Sequence, residues 1–278
     1  MSEVNYQDYY RENINKIKEL EAKGHTVPSI SLIKSPDEIK KIKASAKINR
    51  GALDLVASKI KAGMTTLEID EMVKEYTHSF NAICAPYNYQ GYPKNLCTSI
   101  NEEVCHGIPS RRVKLKDGDI INVDVSTILD GYFSDSSRMF CIGNVSENKR
   151  KLVEVTKECL KEGIKAVKPW GFVGDIGFAI SELAKKHNYS VVRELGGHGI
   201  GLEFHEDPFI SHVGQKNHGM LLLPGMIFTI EPMINEGVAT VLLDRYNQWT
   251  VTTADKKMSA QVEHMLLVTM DGVEILCD

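Results

Sequence analysis

The chain has 278 residues, 33 basic and 37 acidic, for a formal charge of −4, so it carries no bulk basic field for a polyanion. Hydrophobic residues at 42% and charged residues at 25% fit a globular protein with a substantial core and exclude disorder throughout. The most apolar stretch, Met220 to Ile230, is interrupted by Pro224-Gly225 and too short to cross a bilayer. The polar start has no signal-peptide core, and six cysteines without a C-x-x-C pair read as free thiols in a reducing compartment. The expectation is a cytoplasmic protein.

Residues 1–35 form a charged extension with Ile14, Ile17 and Leu20 at helical spacing, ending in a loop around Gly24 and Pro28. Ser35-Pro36-Asp37-Glu38 reads as a capping box with proline at the first helical position. It opens the main domain, residues 36–278, and a helix with an apolar stripe of Ile39, Ile42, Ala46, Leu53, Val56 and Ile60. Gly63 is expected to end that helix, and Thr65-Thr66-Leu67-Glu68 caps another running to about residue 80. Two β segments, Asp119 to Leu129 and Tyr132 to Ile142, flank Asp130-Gly131, a strong hairpin signal. Helices are then predicted over Asn148 to Val167 and Asp175 to His187, with strands to the end.

One offset, 107, relates the halves: Lys61 to Lys168, Ile69 to Ile176, Gly118 to Gly225, Ile120 to Ile227 and Asp124 to Glu231. Each half thus reads helix, helix, then a turn glycine followed six residues later by a carboxylate on a strand. An internal duplication predicts a two-fold-like sheet with helices on its outer face and carboxylates meeting inside.

With a two-residue turn at Asp130-Gly131, Asp124 pairs with Ser137 and Ser126 with Asp135. Asp124 and Asp135 then share a face as diagonal neighbours, roughly 7 Å apart, a gap that two metal ions about 3.5–4 Å apart can bridge. Alone, the pair reads more readily as a solvated hairpin face than as a metal site. The segment from Glu194 to Pro208 carries His198 among Gly196, Gly197, Gly199 and Gly201, with His205-Glu206-Asp207 after it. It fits neither the dinucleotide spacing G-x-G-x-x-G nor the zincin H-E-x-x-H. Glu231 closes an apolar strand before Pro232, and strand alternation puts Gln261, Glu263, Met265 and Leu267 on one face. Four carboxylates and a neutral His198 balance two divalent cations better than one. Such an oxygen-rich set with one imidazole suits Mn, Fe(II), Co or Zn.

Asp124, Asp135 eleven residues on, His198 in G-G-H-G-I-G, His205 seven later, Glu231 in T-I-E-P and Glu263 in S-A-Q-V-E-H closely resemble the type I methionine aminopeptidases. The resemblance runs from residue 36 to 276 and includes Gly91-Tyr92-Pro93-Lys94 and Val104-Cys105-His106-Gly107-Ile108-Pro109. It implies an α+β pita-bread fold, with a pseudo-two-fold antiparallel sheet and a dimetal site inside, that removes the initiator methionine from nascent chains, preferring a small second residue. By the same resemblance Asp135 and Glu263 bridge both metals, Asp124 binds one, and His198 with Glu231 binds the other. A metal-bridging water is the nucleophile and Glu231 its proton shuttle. His106 and His205 hydrogen-bond the substrate backbone. Tyr89, Tyr92, Cys97, Phe204 and Trp249 match pocket-lining positions that suit an unbranched thioether, although each aromatic could equally be core. The implied partners are nascent N-termini and the ribosome near its exit tunnel, with no membrane or nucleic-acid substrate, and the chain acts as a monomer. Two other readings stand beside this one: an X-Pro aminopeptidase or creatinase-like hydrolase, and a non-catalytic homologue that binds ribosome or nucleic acid.

Overall fold

In the computed structural model, which describes residues 4–278, the element order follows the duplication. Two short helices precede it, α1 (Tyr6–Glu12) and α2 (Ile14–Ala22). The stripe of Ile14, Ile17 and Leu20 belongs to α2. The sequence pattern did not reveal α1, because Tyr6 is its one buried residue and no apolar stripe marks it.

The first half contains α3 (Pro36–Lys59), α4 (Thr66–His78), β1 (Ile83–Cys84), β2 (Cys97–Ile100) and β3 (Glu103–Cys105), then the hairpin of β4 (Ile120–Leu129) and β5 (Tyr132–Cys141). Both capping boxes form: Glu38 accepts from Ser35 N–H at 2.7 Å and Glu68 from Thr65 N–H at 2.6 Å. Helix α3 stops at Lys59, short of the expected Gly63. Ile60 turns to extended backbone while still packing on the apolar cluster, so its place in the stripe says nothing of its conformation. Asp130 and Gly131, at φ 51° and 84°, make the two-residue turn, and β4 pairs with β5 in the register the turn predicts, Leu129 opposite Tyr132.

The second half repeats with α5 (Glu147–Ala166) and α6 (Val173–Lys186), followed by shorter strands. These are β6 (Ser190–Val191), β7 (Gly197–Gly199), β8 (Glu206–Ile210), β9 (Ile227–Ile230) and β10 (Met233–Asn235). After them come β11 (Val241–Leu243), β12 (Val251–Thr253), β13 (Ser259–Gln261), β14 (His264–Val268) and β15 (Val273–Cys277). All strand pairs are antiparallel: β4 lies among β1, β2 and β5; the order β15-β14-β9-β7-β8 makes the largest sheet; and β13-β10-β6 and β11-β12-β3 make two small ones.

The alternation expected from Gln261 to Leu267 is not one strand. The chain leaves β13 and enters β14, in another sheet, through Val262 and Glu263. At that junction Glu263 exchanges backbone hydrogen bonds with Ser137 of β5, at 3.2 and 3.3 Å, which stitches the two large sheets together.

Hydrogen bonds repeat at the offset of 107. Gly63 N–H donates to the Leu115 carbonyl at 2.8 Å, and Trp170 N–H to Leu222 at 2.7 Å. Leu115 and Leu222 return the bond to Met64 and Gly171, both at 2.8 Å. Gly118 N–H reaches Ile142 and Gly225 N–H reaches Val268, again both at 2.8 Å, though here the donors are 107 apart and the acceptors 126, because the second half is longer between its two strands. Both turn glycines are left-handed, at φ 89° and 93°, so the matched residues hold matched places in the backbone.

In β4 the odd residues Ile121, Val123 and Val125 pack on Leu53 and Val56 of α3 and Ile69 and Val73 of α4. Strand alternation therefore turns Asp124 and Ser126 to the opposite face, away from the helices. Residues 4–35 pack on the second half: Ile17 and Ile33 join its core, Leu221 N–H donates to Thr26 at 2.9 Å, and Lys16 lies 3.5 Å from the Trp170 ring centre.

Candidate active site

The hairpin register sets Asp124 opposite Ser137 and Ser126 opposite Asp135. Ser126 Oγ donates to Asp135 Oδ1 at 2.9 Å, which fixes that carboxylate. Glu231 follows β9, and Thr229, two residues earlier, donates to its Oε1 at 2.9 Å. Gln261 Nε2 donates to its Oε2 at 3.0 Å, and the Glu231 backbone N–H donates to buried His212 Nε2 at 3.1 Å.

His198 sits in β7 between glycines that no other residue could replace without displacing backbone. A Cβ on Gly197 would lie 2.2 Å from the Thr229 carbonyl, and one on Gly199 would lie 2.0 Å from that of Asp207. The imidazole Nδ1 is 3.0 Å from the Gly199 carbonyl and so carries the proton. The Nε2 lone pair therefore faces carboxylates, 3.9 Å from Asp135 Oδ2 and 3.7 Å from Glu231 Oε1. Burial pushes this imidazole down to about 3, so it is neutral at pH 7 and available as a ligand.

Those separations are too long for hydrogen bonds, yet they match two donors bound to one ion at about 2.1 Å each, which lie about 3–4.2 Å apart. Asp135, His198 and Glu263 each offer a donor atom within 4.8 Å of the others. Among the described residues no Lys or Arg pairs with Asp124, Asp135, Glu231 or Glu263. Without a cation, burial pushes Asp124 up to about 7, and burial with the Asp124 charge pushes Glu231 up to about 8. Asp135 and Glu263 are driven well above the carboxylate range by burial and by their neighbours' charges. Four carboxylates in this condition are a demand for positive charge, and the donor set fits divalent cations.

A cavity of about 720 Å³ opens from these residues. It brings together every residue singled out in the sequence: the five candidate ligands, His106, His205, Tyr89, Tyr92, Cys97, Phe204 and Trp249 all line it. Tyr89 meets Phe204 edge-on at 4.8 Å and stacks on His205 at 5.2 Å, while Tyr92 meets Trp249 edge-on at 5.1 Å. His106 adopts a left-handed backbone, at φ 56°, uncommon for a residue with a Cβ. Burial and then His205 lower its imidazole to about 4, and burial lowers His205 as well. Both are neutral at pH 7. Cys105 and Met233 also line the cavity, and sequence reasoning missed them together with Thr229 and His212. Thr229 had a signal, since alternation places it on the face of Glu231; His212 had none.

The sequence pattern of metallopeptidase family M24 matches residues 40–270. Methionine aminopeptidase A of Synechocystis is 52% identical over 240 residues, covering 86% of this chain and 94% of that protein. The methionine aminopeptidase of Rickettsia prowazekii is 47% identical over 84% of this chain and 90% of its own length. The crystal structure of a Rickettsia prowazekii methionine aminopeptidase superposes with a TM-score of 0.86 over 88% of this chain and 98% of that one, at 46% identity. A prolidase from Pyrococcus horikoshii, 22% identical with a TM-score of 0.70, shares the fold. The carboxylate-rich cavity, the duplicated pita-bread sheet and these relatives converge: the chain belongs to the methionine aminopeptidases of metallopeptidase family M24, dimetal enzymes that remove N-terminal methionine.

Proposed function

We propose that residues 36–278 form the catalytic domain, with residues 4–35 packed on it, and that Asp124, Asp135, His198, Glu231 and Glu263 would hold two divalent ions. When bound, the cations acidify the attacking water and polarise the scissile carbonyl. Glu231 carries the water's proton to the leaving amine, a task its oxygens can perform because Thr229 and Gln261 keep them aimed into the cavity. His205 donates to the carbonyl of the substrate and His106 accepts its amide N–H, and as neutral imidazoles they do so without repelling the cations. Tyr89, Tyr92, Cys97, Phe204 and Trp249 enclose the methionine side chain, whose flexible thioether suits an aromatic wall.

The substrates are nascent chains with a small second residue, met by a monomer in the cytoplasm beside the ribosome. Family membership supports the substrate, and no described helix is long and apolar enough to cross a membrane. The observation that carries the reading is the neutral His198 Nε2 facing unpaired carboxylates at the base of the aromatic cavity. Its test is release of free methionine from Met-Gly and Leu-Gly peptides by chelator-stripped protein with Mn, Co, Fe(II) or Zn restored. Stripping should abolish release, an added ion should restore it, and only the Met peptide should be cut. Full turnover by protein shown metal-free by elemental analysis, or equal release of leucine, would refute the reading.

A further inference from the structure

His205 reaches the cavity mouth on a short loop between β7 and β8. The residue after it, Glu206, turns its carboxylate back beneath that loop. One oxygen accepts the N–H groups of Leu202 at 2.7 Å and Glu203 at 3.0 Å. The other is bound by the ammonium of Lys34. The Lys34 side chain is 1% exposed and that of Glu206 11%, and an ammonium so buried is rare in a fold unless it is paired. Lys34 has a fixed base: its backbone N–H donates to the Gly225 carbonyl at 2.9 Å, beside the bridge between Ile33 and Met226. It lies before the residues the family pattern covers and 172 positions from Glu206.

We propose that Lys34 is a positioning residue for the hydrolysis. Its ammonium fixes the Glu206 carboxylate, Glu206 fixes the backbone at 202–203, and His205 is thereby held where it can donate to the substrate. The proposal rests on the donor role of His205 stated above. The His205 ring stands 4.2 Å from that of His198 and 5.2 Å from that of Tyr89, so a loosened loop moves the donor relative to the candidate ligands. A displacement near 1 Å costs about 10²-fold in rate.

The test uses Lys34→Met and the paired Lys34→Met/Glu206→Leu, each with native His205 and with His205→Ala. The double variant replaces the ion pair by apolar side chains, an exchange that preserves folding when the volumes match, and it still removes the anchor of residues 202–203. Both should lower kcat by about 10²-fold, with KM and metal stoichiometry near native, and neither should lower kcat further in the His205→Ala background. A double variant with native kcat would show the pair to be structural only and overturn the proposal. So would a full additional loss on top of His205→Ala. If His205→Ala alone turns over at the native rate, the role of His205 fails and the anchoring role falls with it, an outcome distinct from loss of the anchor alone.

Discussion

Replacing Glu231 by Gln separates the two tasks proposed for it. The carboxylate accepts from Thr229 Oγ1 at 2.9 Å and from Gln261 Nε2 at 3.0 Å. A Gln carbonyl can stay opposite Gln261, which turns the new NH₂ toward Thr229 Oγ1. That hydroxyl already accepts the His198 backbone N–H at 3.1 Å; it has a second lone pair for the NH₂, but its own proton loses the carboxylate. The exchange of a charged acceptor for a neutral one costs about 1–2 kcal/mol. Part of this is offset, because burial and Asp124 disfavour the Glu231 charge. The net change of about 1 kcal/mol should move the unfolding midpoint by only roughly 2–4 °C. Loss of a positioned acid–base group is larger, about 10²–10⁴-fold in turnover, equivalent to about 2.7–5.4 kcal/mol of barrier. Turnover of a Met-Gly peptide, metal stoichiometry and thermal unfolding, measured side by side across a metal titration, should show activity falling far more than occupancy or stability. Full recovery at saturating metal would make Glu231 a ligand alone, and no change in either quantity would reduce it to a strand end.

Alanine at His106 or His205 should leave metal content near native and lower turnover by about 10²–10³-fold, the loss expected for one transition-state hydrogen bond; elemental analysis showing metal loss in His205→Ala would make that residue a ligand. Burial holds His106 at about 4, below its ordinary value near 6.5. Between those values the unfolded chain takes up a proton that the folded chain refuses, so the contribution is present above pH 6.5 and lost on acidification toward 4, up to about 3 kcal/mol. The stability difference between native protein and His106→Gln should therefore change across that window, and a flat difference in denaturant titrations would contradict the burial of the imidazole. Ile17, 2% exposed in the main core, should cost about 2–4 kcal/mol on replacement by Ala. A loss under about 0.5 kcal/mol by urea unfolding would show that residues 4–35 are not part of the cooperative unit.

What was legible in the sequence was local or periodic. The capping boxes at Ser35 and Thr65 need four consecutive residues, and the Asp130-Gly131 turn dictates the pairing of Ser126 with Asp135 and thus the face the two aspartates share. The glycines around His198 announced close backbone approach, though not which backbone. Alternation failed at Glu263, because period two reports which face of a strand is apolar and not which sheet the strand joins. The end of α3 failed for a related reason: Ile60 packs on the same cluster whether helical or extended. The pairing of Lys34 with Glu206 leaves no local trace at all, since each residue reads as an ordinary surface charge until the fold buries them together.

The duplication accounts for the concentration of charge but not for its use. Asp124 and Glu231 hold equivalent places, each six residues after a left-handed glycine anchored to the opposite strand. A symmetric frame therefore aims two like charges into one buried space, and Asp124 is among the charges that push Glu231 up. Neither half can neutralise the other, which favours cations from outside the chain. The remaining groups break the symmetry. The offset of 107 ends at the hairpin turn: β5 pairs with β4 as β14 pairs with β9, which makes Gln261 the counterpart of Asp135 and Ser137 the counterpart of Glu263. Beside β9, β7 sets Gly199 opposite Phe228 as β2 sets Ile100 opposite Ile121, so His198 matches Ser99 and the imidazole, whose Nε2 lies 3.7 Å from Glu231, has no counterpart in the first half. Thr229 and Gln261 orient Glu231; the equivalent of Thr229 is Asn122, which donates instead to Ser137 Oγ and the Gln261 carbonyl, and the equivalent of Gln261 is Asp135. On the assignment proposed above, the two cation positions are inequivalent. The Asp124 side is all oxygen, whereas the Glu231 side combines a neutral imidazole with an oriented carboxylate that can take and return a proton. On that assignment the acid–base step falls on the half that carries the imidazole.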